Sequence, residues 1–120
     1  MESGIDIVKI QRFEKLICKQ SFLNKYFTDY EISYINLKNN PLYSLAGLYA
    51  CKEAILKAFG VGIGNGISFK DCSIIHDDKG KPYVELNDKI LKVMENLKVS
   101  QIKVSISHDG EYAIAMCNLI

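Results

Sequence analysis

The period of hydrophobic and polar positions changes several times along the chain, and each change marks an element. Gly4-Ile5-Asp6-Ile7-Val8-Lys9-Ile10 is short and rich in β-branched residues, which predicts a strand. Residues 11–26 follow helical spacing, with Phe13, Leu16, Ile17 and Phe22 on one side. Thr28-Asp29-Tyr30-Glu31 is a capping box and starts a short helix reaching about Leu37. Asn39-Asn40-Pro41 ends it, because the residue before proline avoids the helical region.

The longest helical pattern runs from Leu42 to Phe59. Ala46, Ala50, Ala54 and Ala58 make a narrow stripe along it where another backbone can approach closely. Leu45, Leu48, Tyr49, Ile55, Leu56 and Phe59 supply its apolar bulk, and Gly60 stands where a left-handed residue closes a helix. Residues 69–76 and 82–86 read as strands about the turn Asp77-Asp78-Lys79-Gly80. Asn87 or Asp88 caps a helix to about Leu97, with Ile90, Leu91, Met94 and Leu97 buried. Ile102, Val104 and Ile106 alternate with Lys103, Ser105 and Ser107, and Asp109-Gly110 turns the chain into Tyr112–Leu119. This order predicts an α+β fold, a mainly antiparallel sheet packed on a long central helix.

Composition narrows the class. A chain of 120 residues, 48% hydrophobic and 24% charged, makes one domain with its own core over residues 1–120. A net charge of +1 and the lack of a basic run argue against a nucleic-acid or anionic-membrane partner. Cys18, Cys51, Cys72 and Cys117 are too scattered for a zinc ribbon or a redox pair. With no signal-like N-terminus and no spanning apolar run, the expectation is a soluble, reduced, cytoplasmic protein.

Four features carry candidate chemistry. Asp6 interrupts an apolar strand. It is an edge residue facing solvent, a partner of Arg12 or a lysine, or a ligand for a hard cation such as Mg²⁺. Glu53 and Lys57 have the spacing of a common helix-surface pair worth about 0.2–0.5 kcal/mol. They also share a stripe with Ala46 and Ala50 at the edge of the packed face. The glycine-rich stretch Gly60–Gly66 follows its helix, unlike a standard phosphate loop, so it is a flexible connection or one wall of a ligand cleft. Ser105 and Ser107 share a strand face, with His108 at the strand end as a structural residue, a solvated one or a phosphate ligand. His76 is assigned no role.

Read together, these segments resemble the holo-acyl-carrier-protein synthases, the small trimeric phosphopantetheinyl transferases. The resemblance covers nearly the whole chain. It rests on Gly4-Ile5-Asp6-Ile7-Val8 with Arg12, on Phe27-Thr28 with Glu31, and on Leu45-Ala46-Gly47. It continues through Ala50-Cys51-Lys52-Glu53-Ala54-Ile55-Leu56-Lys57-Ala58-Phe59-Gly60, Gly62-Ile63-Gly64-Asn65-Gly66, Gly80-Lys81-Pro82 and Ser105-Ile106-Ser107-His108.

The resemblance implies the fold of that family and transfer of the phosphopantetheine arm of coenzyme A to a serine of apo acyl carrier protein. It implies Mg²⁺ held by Asp6 and Glu53, with Glu53 helping to deprotonate the serine. Lys57 would contact the phosphates, His108 and Gly60, Gly62 and Gly64 the nucleotide end, and Arg12 the acidic carrier. A homotrimer with sites between subunits is implied as well. Three departures stand out. Leu48 replaces a frequent arginine, Val61 a frequent threonine, and Asn39-Asn40 a basic loop, which removes expected partners of the coenzyme's 3′-phosphate. The rival reading is a non-catalytic α+β module that binds a nucleotide or a partner protein.

Overall fold

The computed structural model describes residues 2–60 and 66–120. Strand β1 (Glu2–Lys9) is followed by two short 3-10 turns, Ile10–Phe13 and Leu16–Cys18, then α1 (Gln20–Tyr26) and α2 (Asp29–Asn36). The long helix α3 (Pro41–Phe59) comes next. A 3-10 turn at Phe69–Asp71 leads into the hairpin β2 (Ile74–His76) and β3 (Pro82–Val84). Helix α4 (Asp88–Leu97) and the hairpin β4 (Ile102–Asp109) and β5 (Tyr112–Leu119) complete the chain. One sheet has the order β1-β5-β4, the other pairs β2 with β3, and every pairing is antiparallel. The α+β expectation holds.

Helix α3 is the axis of the core. Its alanine stripe meets the three-stranded sheet, and all four alanines are buried. The close approach is met by Gly4, where an added Cβ would lie 2.0 Å from the Ala54 carbonyl oxygen and 2.7 Å from the Ala58 nitrogen. Only glycine fits between strand and helix there. On the sheet, Val8, Ala113, Ala115, Cys117 and Leu119 alternate inward, as period 2 requires. Ile5, Ile7, Ile114 and Met116 alternate outward, and that apolar outer face is exposed.

Three expectations are corrected. Residues 11–26 are not one helix. Phe13 and Leu23 both sink into the core, yet ten residues of helix turn about 80° away from a common face. The chain breaks at Lys19, in an extended conformation, so that both can be buried and Phe22 can stack near Phe13 and Phe27. The strand expected over 69–76 keeps only Ile74–His76, because Ser68 and Asp71 cap each other and curl the backbone into a 3-10 turn. In α4, capped by Asn87, the buried face is Ile90, Val93 and Met94, and Leu91 is exposed. Leu91 lies about 100° round from Ile90, off the i, i+3, i+4 stripe.

The Thr28–Glu31 capping box is present, and Glu31 does more than cap. Its Oε1 accepts from the Thr28 amide at 2.8 Å and from the Lys52 ammonium, and its Oε2 accepts from the Ile74 amide at 2.8 Å. Both side chains are fully buried. Lys52 also lies over the Phe27 ring, 5.3 Å from its centroid. One carboxylate thus ties α2, β2 and α3 together. Burial lowers the Lys52 pKa, and Glu31 opposes that shift.

Removing one partner leaves the other charge uncompensated in a water-free site. Glu31→Gln and Lys52→Met should each cost about 3–5 kcal/mol in urea unfolding. The double variant should cost less than the sum of the two, because neither orphan charge then remains.

Candidate active site

Period 2 along β1 turns Gly4, Asp6 and Val8 toward α3, so the carboxylate of Asp6 meets the helix instead of solvent. Glu53 and Lys57 lie one helical turn apart on the side of α3 that passes over β1. The Lys57 ammonium donates to Asp6 Oδ1 and to the Ile5 carbonyl, each at 3.1 Å. Lys57 therefore pairs with Asp6 across the fold and is not merely the i+4 partner of Glu53. Its side chain stays largely exposed, so its charge remains open to a ligand.

Glu53 is half-buried, and burial pushes its carboxyl above the usual value, with the Asp6 charge adding to the rise. Lys57, Arg12 and a hydrogen bond from Tyr49 act in the opposite direction. Tyr49 stands one turn before Glu53 on the same helix, and its hydroxyl accepts from Arg12 at 3.3 Å. The Arg12 guanidinium lies over the Phe13 and Tyr49 rings, 5.3 and 5.2 Å from their centroids. A relay Arg12–Tyr49–Glu53 results, with Tyr49 the member that sequence reasoning left out. Its signal was the i, i+4 spacing from Glu53, which the apolar count of the helix concealed.

Two carboxylates forced near each other against their repulsion suit a divalent cation. Mg²⁺ takes one or two carboxylates and completes its shell with water and phosphate oxygens. Among the described residues no group of three or more His, Cys, Asp and Glu side chains could form an all-protein cage. Asp6 and Glu53 have the donor chemistry for the shared kind of site.

His108 is elsewhere. It lies on β4, facing α3 beside Gly47, where an added Cβ would come within 2.9 Å of its Nε2. Nε2 donates to the Tyr43 carbonyl at 2.8 Å. Ser105 and Ser107 point to the opposite sheet face, so no serine–histidine pair forms here. His108 instead lines a cavity of about 190 Å³ with Leu48, His76, Pro82 and Ile106. The acidic cluster and this cavity belong to opposite edges of the sheet, β1 and β4, separated by β5. Gly60 adopts the left-handed conformation that closes α3, at φ 79°. Gly62 and Gly64 lie outside the described residues, as does Val61.

Comparison with known proteins identifies the family. Residues 2–117 match the model of the 4′-phosphopantetheinyl transferase superfamily. A holo-[acyl-carrier-protein] synthase of Fusobacterium nucleatum is 42% identical over 118 residues, covering 98% of this chain and 96% of the relative. One from Finegoldia magna is 44% identical over 118 residues, covering 98% and 93%. Among solved structures, the Helicobacter pylori holo-[acyl-carrier-protein] synthase in complex with coenzyme A superposes with a TM-score of 0.84 at 37% identity, covering 98% of this chain and 99% of that one. The Neisseria meningitidis synthase gives a TM-score of 0.89 at 30% identity, covering 99% and 97%. The chain belongs to the 4′-phosphopantetheinyl transferase superfamily.

Proposed function

We propose that this protein transfers the 4′-phosphopantetheine arm of coenzyme A to a serine hydroxyl of an apo acyl carrier protein, with Mg²⁺ required. The observation that carries this reading is the meeting of Asp6 from β1 with Glu53 and Lys57 from α3. The relatives named above are holo-[acyl-carrier-protein] synthases, one of them solved with coenzyme A, and they support the same reading.

The serine oxygen forms a bond to the phosphorus that bears pantetheine. The bond from that phosphorus to the bridging pyrophosphate oxygen breaks, and adenosine 3′,5′-bisphosphate departs with the electron pair. Phosphoryl transfer of this kind is mostly positioning and charge neutralisation. Asp6 and Glu53 would hold Mg²⁺, which supplies positive charge at the pyrophosphate when bound. Lys57 reaches the same region and favours the leaving group. Glu53 helps take the serine proton. Arg12, exposed beside the cluster, offers a cation to an acidic carrier, and Gly60 at the end of α3 would contact the nucleotide end.

We further infer a homotrimer in which the acidic cluster of one copy faces the His108 cavity of the next. Two observations support it. The two candidate half-sites lie at opposite edges of the sheet, and the sheet's outer face exposes Ile5, Ile7, Ile114 and Met116. A cytoplasmic location suits the four free cysteines, of which Cys51, Cys72 and Cys117 are buried. Burial pushes the thiols of Cys72 and Cys117 up to about 12, so they act as inert small hydrophobes. Among the described residues no helix is long and apolar enough to cross a membrane.

The deciding experiment mixes the protein with apo carrier, coenzyme A and Mg²⁺, and weighs the carrier. A phosphopantetheine mass gain is expected, falling on the order of 10²-fold in rate with Asp6→Asn or Lys57→Ala. No gain across several carriers would sink the proposal, and coenzyme A binding indifferent to Mg²⁺ and to Asp6→Asn would favour the non-catalytic module.

Glu53→Gln separates a functional from a structural carboxylate. The folded chain holds the Glu53 proton more tightly than the unfolded one. The stabilisation from this group is therefore complete below pH 4.5 and is lost as pH rises through the higher folded value. At neutral pH the glutamine variant should melt no lower than the unaltered protein while losing transfer. A large drop in melting temperature would mark Glu53 as structural.

Met116→Glu places a charge on the exposed sheet face. Light scattering should show three chains per particle in the unaltered protein and one in the variant, which should also lose transfer. A monomeric yet fully active variant would refute the shared site.

A further inference from the structure

His76, on β2, lines the cavity that also holds His108, and the reaction described above leaves it unused. It is fixed from two sides. Its ring stacks on Tyr34 from α2, with centroids 3.8 Å apart and planes 3° from parallel. Its backbone amide donates to the Tyr30 hydroxyl at 3.2 Å, and that hydroxyl lies 3.5 Å from Nδ1. Such anchoring leaves Nε2 as the ring atom with which His76 can meet a ligand.

The lining around it has one chemical character. Leu48 and Ile106 give an apolar wall suited to a flat base or a sugar face. Ser44 and His76 offer hydrogen-bond donors, His108 stands beside them with its Nε2 proton already given to the Tyr43 carbonyl, and no carboxylate lines the cavity among the described residues. Lys38 adds a cation beside the stack, 4.6 Å from the Tyr34 centroid. Position 48 contributes nothing charged, since Leu48 is apolar and buried. Donors without acids on one side and an apolar wall on the other fit a phosphorylated ribose carrying a base.

We propose that His76 is the specificity-determining residue that distinguishes a 3′-phosphorylated from an unphosphorylated ribose on the coenzyme donor. Tyr30 and Tyr34 hold the ring, and Lys38 reinforces the field. The assignment rests on the transferase reading above. Burial lowers the His76 pKa, Lys38 lowers it further and Asp77 opposes them, while Tyr30, Tyr34 and His108 are the other titratable groups facing this region. A phosphate dianion would act in the same direction as Asp77 and favour the charged imidazole.

The test compares kcat/KM for coenzyme A and 3′-dephospho-coenzyme A in the unaltered protein and in His76→Phe, which keeps the stack on Tyr34 and removes both ring nitrogens. The unaltered protein should prefer coenzyme A. His76→Phe should lose about tenfold with coenzyme A and stay within about twofold with the dephospho donor, so the preference collapses. An equal fall with both donors, or an unchanged ratio, overturns the assignment and leaves the transferase reading standing. Transfer from neither donor by the unaltered protein sinks both. Should His76→Phe fail to fold, the imidazole resonance of His76 in the unaltered protein decides. It should move with adenosine 3′,5′-bisphosphate and stay with adenosine 5′-monophosphate, and a resonance that ignores both ligands overturns the assignment.

Discussion

The buried pair of Glu31 and Lys52 is the constraint on which the rest of the structure depends. Two charges have been removed from water, which is tolerable only when every hydrogen-bonding position is filled. Glu31 meets that demand by accepting from Thr28, Ile74 and Lys52, three groups on three different elements. Any displacement of α2, β2 or α3 against the others would break one of those bonds. The pair therefore sets the spacing between α3 and the small hairpin, and with it the shape of the cavity that His76 and His108 share.

Helix α3 is the second organising element, because its flanks do different work. Toward the sheet it offers small residues and lets Gly4 of β1 come into backbone contact. That closeness brings Asp6, two residues further along β1, up to Lys57 and into the field of Glu53. On the other flank Ser44 and Leu48 face the hairpin and line the cavity, and Lys52 meets Glu31. The acidic cluster and the histidine-lined cavity are products of one helix lying obliquely across one sheet. Their separation follows from the order β1-β5-β4, which puts the strand of Asp6 and the strand of His108 at opposite edges.

Much of this was legible in the chain. The alternation in β4 and β5, the Thr28–Glu31 box, the alanine stripe and the helix stop at Gly60 are local signals, and each appears where its chemistry predicts. The first helical stretch was misread because its apolar residues serve a cluster that forms only when the chain bends at Lys19. Strand β2 came out short because Ser68 and Asp71 satisfy their own backbone. Lys52 was the informative omission. It occupies the stripe of Leu45, Leu48 and Ile55, where a lysine is out of place unless an anion waits for it. Its partner lies 21 residues away on another helix, beyond any local pattern.

The sequence by itself determined the elements, the faces they bury and the residue types able to do phosphoryl chemistry, because these depend on short-range periodicity and on side-chain identity. Tertiary structure alone decided which of those residues meet. Asp6 joined Lys57 across 51 positions, Arg12 joined Tyr49 across 37, and His76 was stacked on Tyr34 from a different element. Such meetings are fixed by how closely a strand and a helix can pack and by where buried charge must be neutralised, and neither quantity is written in any one segment of the chain.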